Sequence, residues 1–375
     1  MPVYTKSHYR ISLASPRSDI ETEEAVIDAI RNERHIMGES LYKFEEEYAR
    51  YIGTKHAVST SSGTDALTLS MIALGSDERG EVLTTPLSFI ATANSILHSG
   101  HRPVFVDIDG NDYNIDYKKI ESKISSRTWG ILPVHLFGYP ANMDEIQEIA
   151  NTKGLQVIED ASQAHGSEYK SKKVGSMGTV GCFSFYPGKN MTVFGDGGMM
   201  VTNMEEISSK VSKLRDCGRK SHLEHDIIGY TARLNTINAA VGRVQLKRLP
   251  KWVETRRELA QIYNNRLKGV IEINHPPQPK HNINPAYNLY VIRTKDRNSL
   301  KEFLESKEVE CGIHYTLPIH LQPAYRDIMH LEPGAFPISE EFSKTCLSLP
   351  IHHHLRPEDV HYICDLVKEF TARII

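Results

Sequence analysis

From Lys55 onward the chain alternates short β-prone runs with helical stretches, and this alternation constrains the fold more than any other feature. The runs are His56–Thr60, Glu81–Thr85, Pro103–Asp107, Gly130–His135, Leu155–Glu159, Gly181–Tyr186 and Gly198–Thr202. Helical spacing fills Asp65–Leu74, Phe89–His98 and Met143–Lys153, stopped by Gly75, Gly100 and Gly154. Asn142 and Glu145 predict a capping box at the start of the third. Strands that alternate with helices predict a mostly parallel sheet covered on both faces, with its ligand at the carboxyl ends of the strands. Ahead of this region, Ile20–Arg34 and Tyr42–Ile52 read as amphipathic helices.

At 375 residues the chain exceeds what one core usually spans, so a large domain with a smaller one is expected. The long helical stretch Thr236–Leu267 is interrupted by Pro250, which is expected to bend or break it. The predicted division is 1–250 and 251–375. After the proline-rich loop at Pro276–Pro279, the C-terminal part reads as α+β: strands Tyr287–Arg293 and Glu308–Tyr315, helices Ser299–Lys307 and Pro357–Phe370.

Lys+Arg number 44 against 47 Asp+Glu, a net charge of −3 that offers no electrostatic reason for non-specific nucleic-acid or membrane binding. No run of about 18 apolar residues is present. The opening MPVYTKSHYRISLAS lacks a leader-like apolar core, so a cytosolic protein is expected. The five cysteines are scattered and read as reduced, mostly buried thiols. His352–His354 lacks metal-ligand spacing and reads as a loop, with no metal expected.

The chemistry concentrates in Val157–Asn203. Asp160 sits at the end of an apolar strand. About thirty residues on, a second strand ends in Ser184, Tyr186, Pro187, Gly188 and Lys189, followed by the turn Gly195–Gly198. A lysine in a glycine-bearing turn after a strand can point into a site. Desolvated there, its amine sheds protons more easily and can form a Schiff base. A lone lysine in such a turn is more often a surface residue; its companions shift the weight.

EDASQAHG at 159–166, SFYPGKN at 184–190 and SSGTDAL at 61–67 together resemble the DegT/DnrJ/EryC1/StrS family of pyridoxal-phosphate (PLP) aminotransferases that act on nucleotide-linked keto-sugars. The resemblance extends in family order through PLSFIATAN (86–94), PVHLFGYPANMD (133–144), INAAVGRVQLKRL (237–249), HYTLPIHLQPAY (314–325) and LSLP (347–350). It implies an α/β type I PLP-dependent transferase fold (aspartate aminotransferase-like) and a homodimer with active sites at the subunit interface.

Matched position by position, the resemblance implies that Lys189 carries PLP as a Schiff base and that Asp160 pairs with the pyridine nitrogen. A carboxylate there keeps the ring protonated and able to accept electrons. Gln163 matches the residue bonding the ring's phenolic oxygen, and Phe89 the aromatic that stacks on the ring. Gly63 and Thr64, opening a helix, match the phosphate-binding turn together with Ser184. His314 and Tyr315 match a family segment near the substrate; Tyr186 is a further candidate there, and His165, close to Gln163, is either a substrate neighbour or a packing histidine.

One departure stands out: many relatives have Gly-x-Asn-x-Arg before the INAA helix, and here Thr231 replaces the asparagine between Gly229 and Arg233. A threonine hydroxyl is shorter than an amide and lacks its second donor, so the contact to the neighbouring subunit's cofactor phosphate falls either to Thr231 or to the charge of Arg233.

The implied reaction moves an amino group from L-glutamate to the ketone of a nucleotide-linked keto-sugar. The family's sugar-dehydratase branch carries histidine in place of the lysine, so Lys189 speaks against it. A non-catalytic regulator of the same fold would be an unexpected host for Lys189, Asp160, Gln163 and Ser184. The glycine-rich stretch Gly175–Gly181 has neither the GxGxxG nor the Lys-Ser/Thr pattern of a phosphate loop.

Overall fold

The computed structural model describes residues 9–75 and 79–374. The first eight residues, part of the opening read above for a leader, lie outside the described residues. Seven strands form the central sheet: β1 (His56–Thr60), β2 (Glu81–Thr84), β3 (Arg102–Phe105), β4 (Thr128–Ile131), β5 (Gln156–Asp160), β6 (Val180–Ser184) and β7 (Gly198–Thr202). Their spatial order is β1-β7-β6-β5-β4-β2-β3. The pairs from β6 through β3 are parallel, and β7 alone runs against both its neighbours. This is the mostly parallel sheet of a type I PLP-transferase fold. The central strands are buried along their length, as a sheet covered on both faces requires.

The longer helices are α1 (Ile20–Asn32), α2 (Glu39–Ile52), α3 (Gly63–Leu74), α4 (Ala91–His98), α5 (Met143–Lys153), α6 (Glu205–Arg215), α7 (Thr236–Leu267), α8 (Arg297–Ser306), α9 (Pro337–Thr345) and α10 (Pro357–Ile374). Gly154 ends α5 in the left-handed region, at φ 68°. The capping box expected at its start does not form. Asn142 donates its side-chain amide to Asp112 at 2.7 Å and leaves α5 without a side-chain cap.

The break expected at Pro250 does not occur either. Helix α7 runs 32 residues through the proline. Leu249 and Val253, either side of it, are buried in one apolar cluster with Leu41, Phe44 and Tyr48 of α2, and that packing offsets one lost hydrogen bond. Farther along α7, Leu259, Tyr263 and Leu267 pack instead with Tyr290, Leu347 and Cys364 of the C-terminal part. There β8 (Tyr290–Arg293) and β9 (Cys346–Leu349) form an antiparallel pair. The strand expected over Glu308–Tyr315 reduces to isolated bridges at Val309 and Gly312. Gly312 exchanges both backbone bonds with Ser348, but the His314 side chain folds back over Gly312 and onto the Ser348 hydroxyl. The five cysteines are free thiols, four of them buried.

Candidate active site

The carboxyl ends of β1, β2, β5 and β6 open into one cleft of about 410 Å³, within the range of small-molecule sites. Each strand delivers a polar group. At the end of β5, Asp160 is buried, with 4% of its surface exposed. Its Oδ2 accepts the Thr92 hydroxyl at 2.8 Å and its Oδ1 the Ser162 N–H at 3.1 Å. The Ser88 hydroxyl lies 2.8 Å behind that of Thr92, which completes a short polar chain.

After β6, Lys189 sits in the turn closed by its N–H to the Tyr186 carbonyl at 2.9 Å. Its ammonium forms no ion pair or side-chain hydrogen bond among the described residues. Burial strips it of water and lowers its pKa to about 8, while the Asp160 carboxylate acts weakly the other way. A lysine of this kind is a nucleophile held in reserve.

Gln163 fixes the floor. Its Oε1 accepts the Phe137 N–H at 2.9 Å and its Nε2 donates to the Tyr315 hydroxyl at 3.1 Å. The exposed Phe89 ring lies 6.3 Å from that of Tyr315 and faces the cleft. At the start of α3, Ser62 accepts the Asp65 N–H on its hydroxyl, leaving the first N–H groups of Gly63 and Thr64 with no partner within the helix. Gly63 packs directly on Ser184: a Cβ built there would lie 2.7 Å from the Ser184 Cβ. Only glycine lets this strand-to-helix corner meet the end of β6.

Tyr186, His314 and Tyr315 also border the cleft. His314 accepts or donates at 2.8 Å with Ser348, and burial together with Lys189 pushes its pKa down to about 4, so the ring is neutral at physiological pH.

Three of the predicted site residues are elsewhere. His165 is fully buried among Tyr48, Phe183 and Phe185, with neither ring nitrogen partnered, so it is a packing residue behind the cleft wall. Arg233 is held by the Asp216 carboxylate, and the Thr231 hydroxyl lies 3.3 Å from the Cys217 sulfur. Neither borders the cleft of its own chain.

Sequence reasoning missed Ser88, Thr92, Ser162, Asp196 and Asn288, all of which line the cleft. Thr92 lay in the PLSFIATAN segment, one helical turn after Ser88. Asn288 gave no signal, falling in a stretch read as strand; its buried side-chain oxygen has no partner. The residues fit PLP. A cleft of this volume, a glycine-only corner at a helix start, a desolvated lysine without an acid partner and an anchored carboxylate satisfy its aldehyde, phosphate and ring nitrogen. When bound, PLP supplies a carbonyl carbon that takes up amines and a ring that accepts the electron pair left on carbon.

A lysine and a carboxylate facing one cleft at the carboxyl edge of a type I sheet are the equipment of a PLP-dependent enzyme. The chain belongs to the DegT/DnrJ/EryC1/StrS aminotransferase family, whose model matches residues 16–368. It is 36% identical over 354 residues to a dTDP-3-amino-3,4,6-trideoxy-alpha-D-glucose transaminase of Streptomyces venezuelae, covering 94% of this chain and 93% of the relative. It is 34% identical over 335 residues to a UDP-2-acetamido-2-deoxy-3-oxo-D-glucuronate aminotransferase of Pseudomonas aeruginosa, covering 89% and 92%. Among solved structures, S. venezuelae DesV in complex with a ketimine intermediate superposes with a TM-score of 0.91 at 36% identity, covering 94% of both chains. No described helix is long and apolar enough to cross a membrane.

Proposed function

We propose that the protein transfers an amino group from L-glutamate to the ketone of a nucleotide-linked keto-sugar, with PLP carried on Lys189. The observation that carries this reading is the Lys189 amine, desolvated and without an ion pair among the described residues, in the same cleft as the anchored Asp160. The named activities of the two relatives, on dTDP- and UDP-linked sugars, support the substrate class.

In this reading Gly63, Thr64 and Ser184 hold the phosphate, Phe89 covers one ring face, and Gln163 orients the phenolic oxygen. Thr92 and the Ser162 N–H hold Asp160 so that its carboxylate keeps the ring nitrogen protonated. With PLP bound, the Lys189 Nζ would take the proton from the donor's α-carbon and give it back on the cofactor side, acting as base and then as acid. An amine with a pKa of about 8 is partly free base near neutral pH and suits both halves of that exchange. Tyr186, His314 and Tyr315 border the side of the cleft open to the sugar. We assign residues 1–250 to the cofactor-binding domain and 251–375 to the small domain. In a homodimer, Thr231 and Arg233 reach toward the second subunit's phosphate; Asp216 must then share or release Arg233.

The purified protein should be yellow, and L-glutamate should bleach it. Borohydride followed by peptide mapping should place the PLP tag on Lys189. A tag on another lysine, or turnover with no spectral change, sinks the proposal. A panel of dTDP-, UDP- and GDP-linked keto-sugars, ketone at carbon 3 or carbon 4, identifies the acceptor.

A further inference from the structure

A second, much smaller cavity lies on the other side of the Pro187–Asn190 turn, and Gly188 and Lys189 border both spaces. It offers about 20 Å³, enough for one small solute and too little for an amino acid or a sugar. The charged residues on its wall are all cationic, Lys189, Arg256 from α7 and Arg17 from the N-terminal segment, joined by His352 and His353 from the loop before α10 and by uncharged residues such as Gln245 and Asn190.

Arg256 is the unusual member. It is 4% exposed, and one terminal nitrogen serves the carbonyls of Tyr287, Asn288 and Ile351 at 3.0, 3.4 and 2.7 Å. Its Nε has no partner, and no carboxylate pairs with it among the described residues. Burial alone pulls its pKa down to about 9. The Nδ1 atoms of His352 and His353 are also buried and unpartnered. The charges acting on these two rings, from Arg256, His354 and Arg17, are all cationic. His352 spends its Nε2–H on the Ser12 carbonyl at 3.2 Å, while the second terminal nitrogen of Arg256 and the His353 ring have no hydrogen-bond partner among the described residues. A buried guanidinium with no counter-charge and a spare donor, beside a cavity of solute size, is an incomplete ion pair.

We infer that this cavity binds a small monovalent anion of halide size, held by the Arg256 guanidinium and the His353 ring behind the turn that carries Lys189. Lys189 borders both spaces, but Arg256 and His353 do not border the cleft, so the test reads the anion through those two residues and not through the cofactor.

Crystals of the full chain soaked in sodium bromide and measured at the bromine edge should show an anomalous peak beside Arg256. In solution, chloride should raise the melting temperature saturably relative to gluconate at equal ionic strength and pH. His353→Phe keeps the stack on Trp252, whose ring lies 4.0 Å away, but removes the donor. It should raise the half-saturating chloride concentration roughly tenfold. Arg256→Met should abolish the response; if that variant does not fold, His353→Phe decides alone. Only water in the cavity of the bromide crystals, equal melting in the two salts, or an unchanged response in His353→Phe overturns the inference.

Discussion

Two backbone turns in this molecule have the look of an anion cradle, and they have opposite fates. The glycine-rich turn after Lys173 wraps the Glu159 carboxylate: Gly175, Met177 and Gly178 donate their N–H groups at 2.7, 2.7 and 2.5 Å, and His135 adds a ring nitrogen at 2.9 Å. The other, at Ser62–Thr64, opens on the cleft and meets no carboxylate from across the sheet. Glu159 and Asp160 are adjacent on β5, and a strand sends neighbouring side chains to opposite faces. One carboxylate therefore closes its nest from inside while the next faces the cleft. A turn of backbone donors becomes a ligand site only where the fold has not already supplied the anion.

The comparison breaks most sharply at Lys189. Lys189→Ala should lower glutamate-dependent turnover by roughly 10²–10⁴-fold and leave the protein folded, measured as single-turnover bleaching alongside thermal melting. Normal rates in the variant would place the reactive amine elsewhere. The lysine also has a pH signature in protein freed of PLP. Its folded pKa of about 8 lies below the ordinary 10.5, so the unfolded chain holds that proton more tightly. Stability should therefore rise as pH climbs from about 8 to 10.5, and Lys189→Met should lose that component of the rise. Identical pH–stability curves for the two proteins would contradict the desolvated amine.

The closed nest should behave in the opposite way. Glu159→Gln brings an amide donor up against three N–H donors and should cost about 3–5 kcal/mol, seen in urea unfolding. Whatever remains folded should retain PLP with wild-type affinity. Weakened PLP binding at unchanged stability would mean that the two turns had been assigned the wrong way round.

How much of this was legible follows the same division. The ends of β5 and β6 could be read because an apolar run that stops at Asp160, or at Ser184 with a lysine just beyond, is a local pattern. Strand positions for β1 and β7 and the stop at Gly154 were local too. His165 could be read only as two alternatives, a neighbour of the site or a packing histidine, and its packing against Tyr48, Phe183 and Phe185 selects the second. Pro250 failed as a break because burial on both sides of it outweighs one missing hydrogen bond. Asn142 failed as a cap because Asp112, thirty residues earlier, captures its amide. Arg256 gave no sign at all, since a buried arginine on an amphipathic helix looks in sequence like one on the solvent face.

The open cradle can be tested without touching the chemistry. Gly63→Ala would bring a methyl to 2.7 Å from the Ser184 Cβ and 3.2 Å from its Cα, and a strand end cannot move away cheaply. The overpacking should cost about 1–3 kcal/mol, and PLP should dissociate faster because the helix start is pushed from the phosphate position. Retention equal to wild type, followed by equilibrium dialysis, would remove this corner from the cofactor site.

The smallest effect should come from Thr92→Val, which keeps the side-chain shape and removes only the hydroxyl that donates to Asp160 at 2.8 Å. Asp160 retains the Ser162 N–H, so the carboxylate loses one of two anchors. A hydrogen bond to a charged group contributes about 1.5–3 kcal/mol, and part of that should appear as a fall in kcat of about tenfold with KM for glutamate little changed. A shift in the pH at which bound PLP changes colour would tie the loss to the ring nitrogen rather than to folding. If kcat and the colour change both stay put, the strand end alone orients Asp160, and the Ser88–Thr92 chain is only packing.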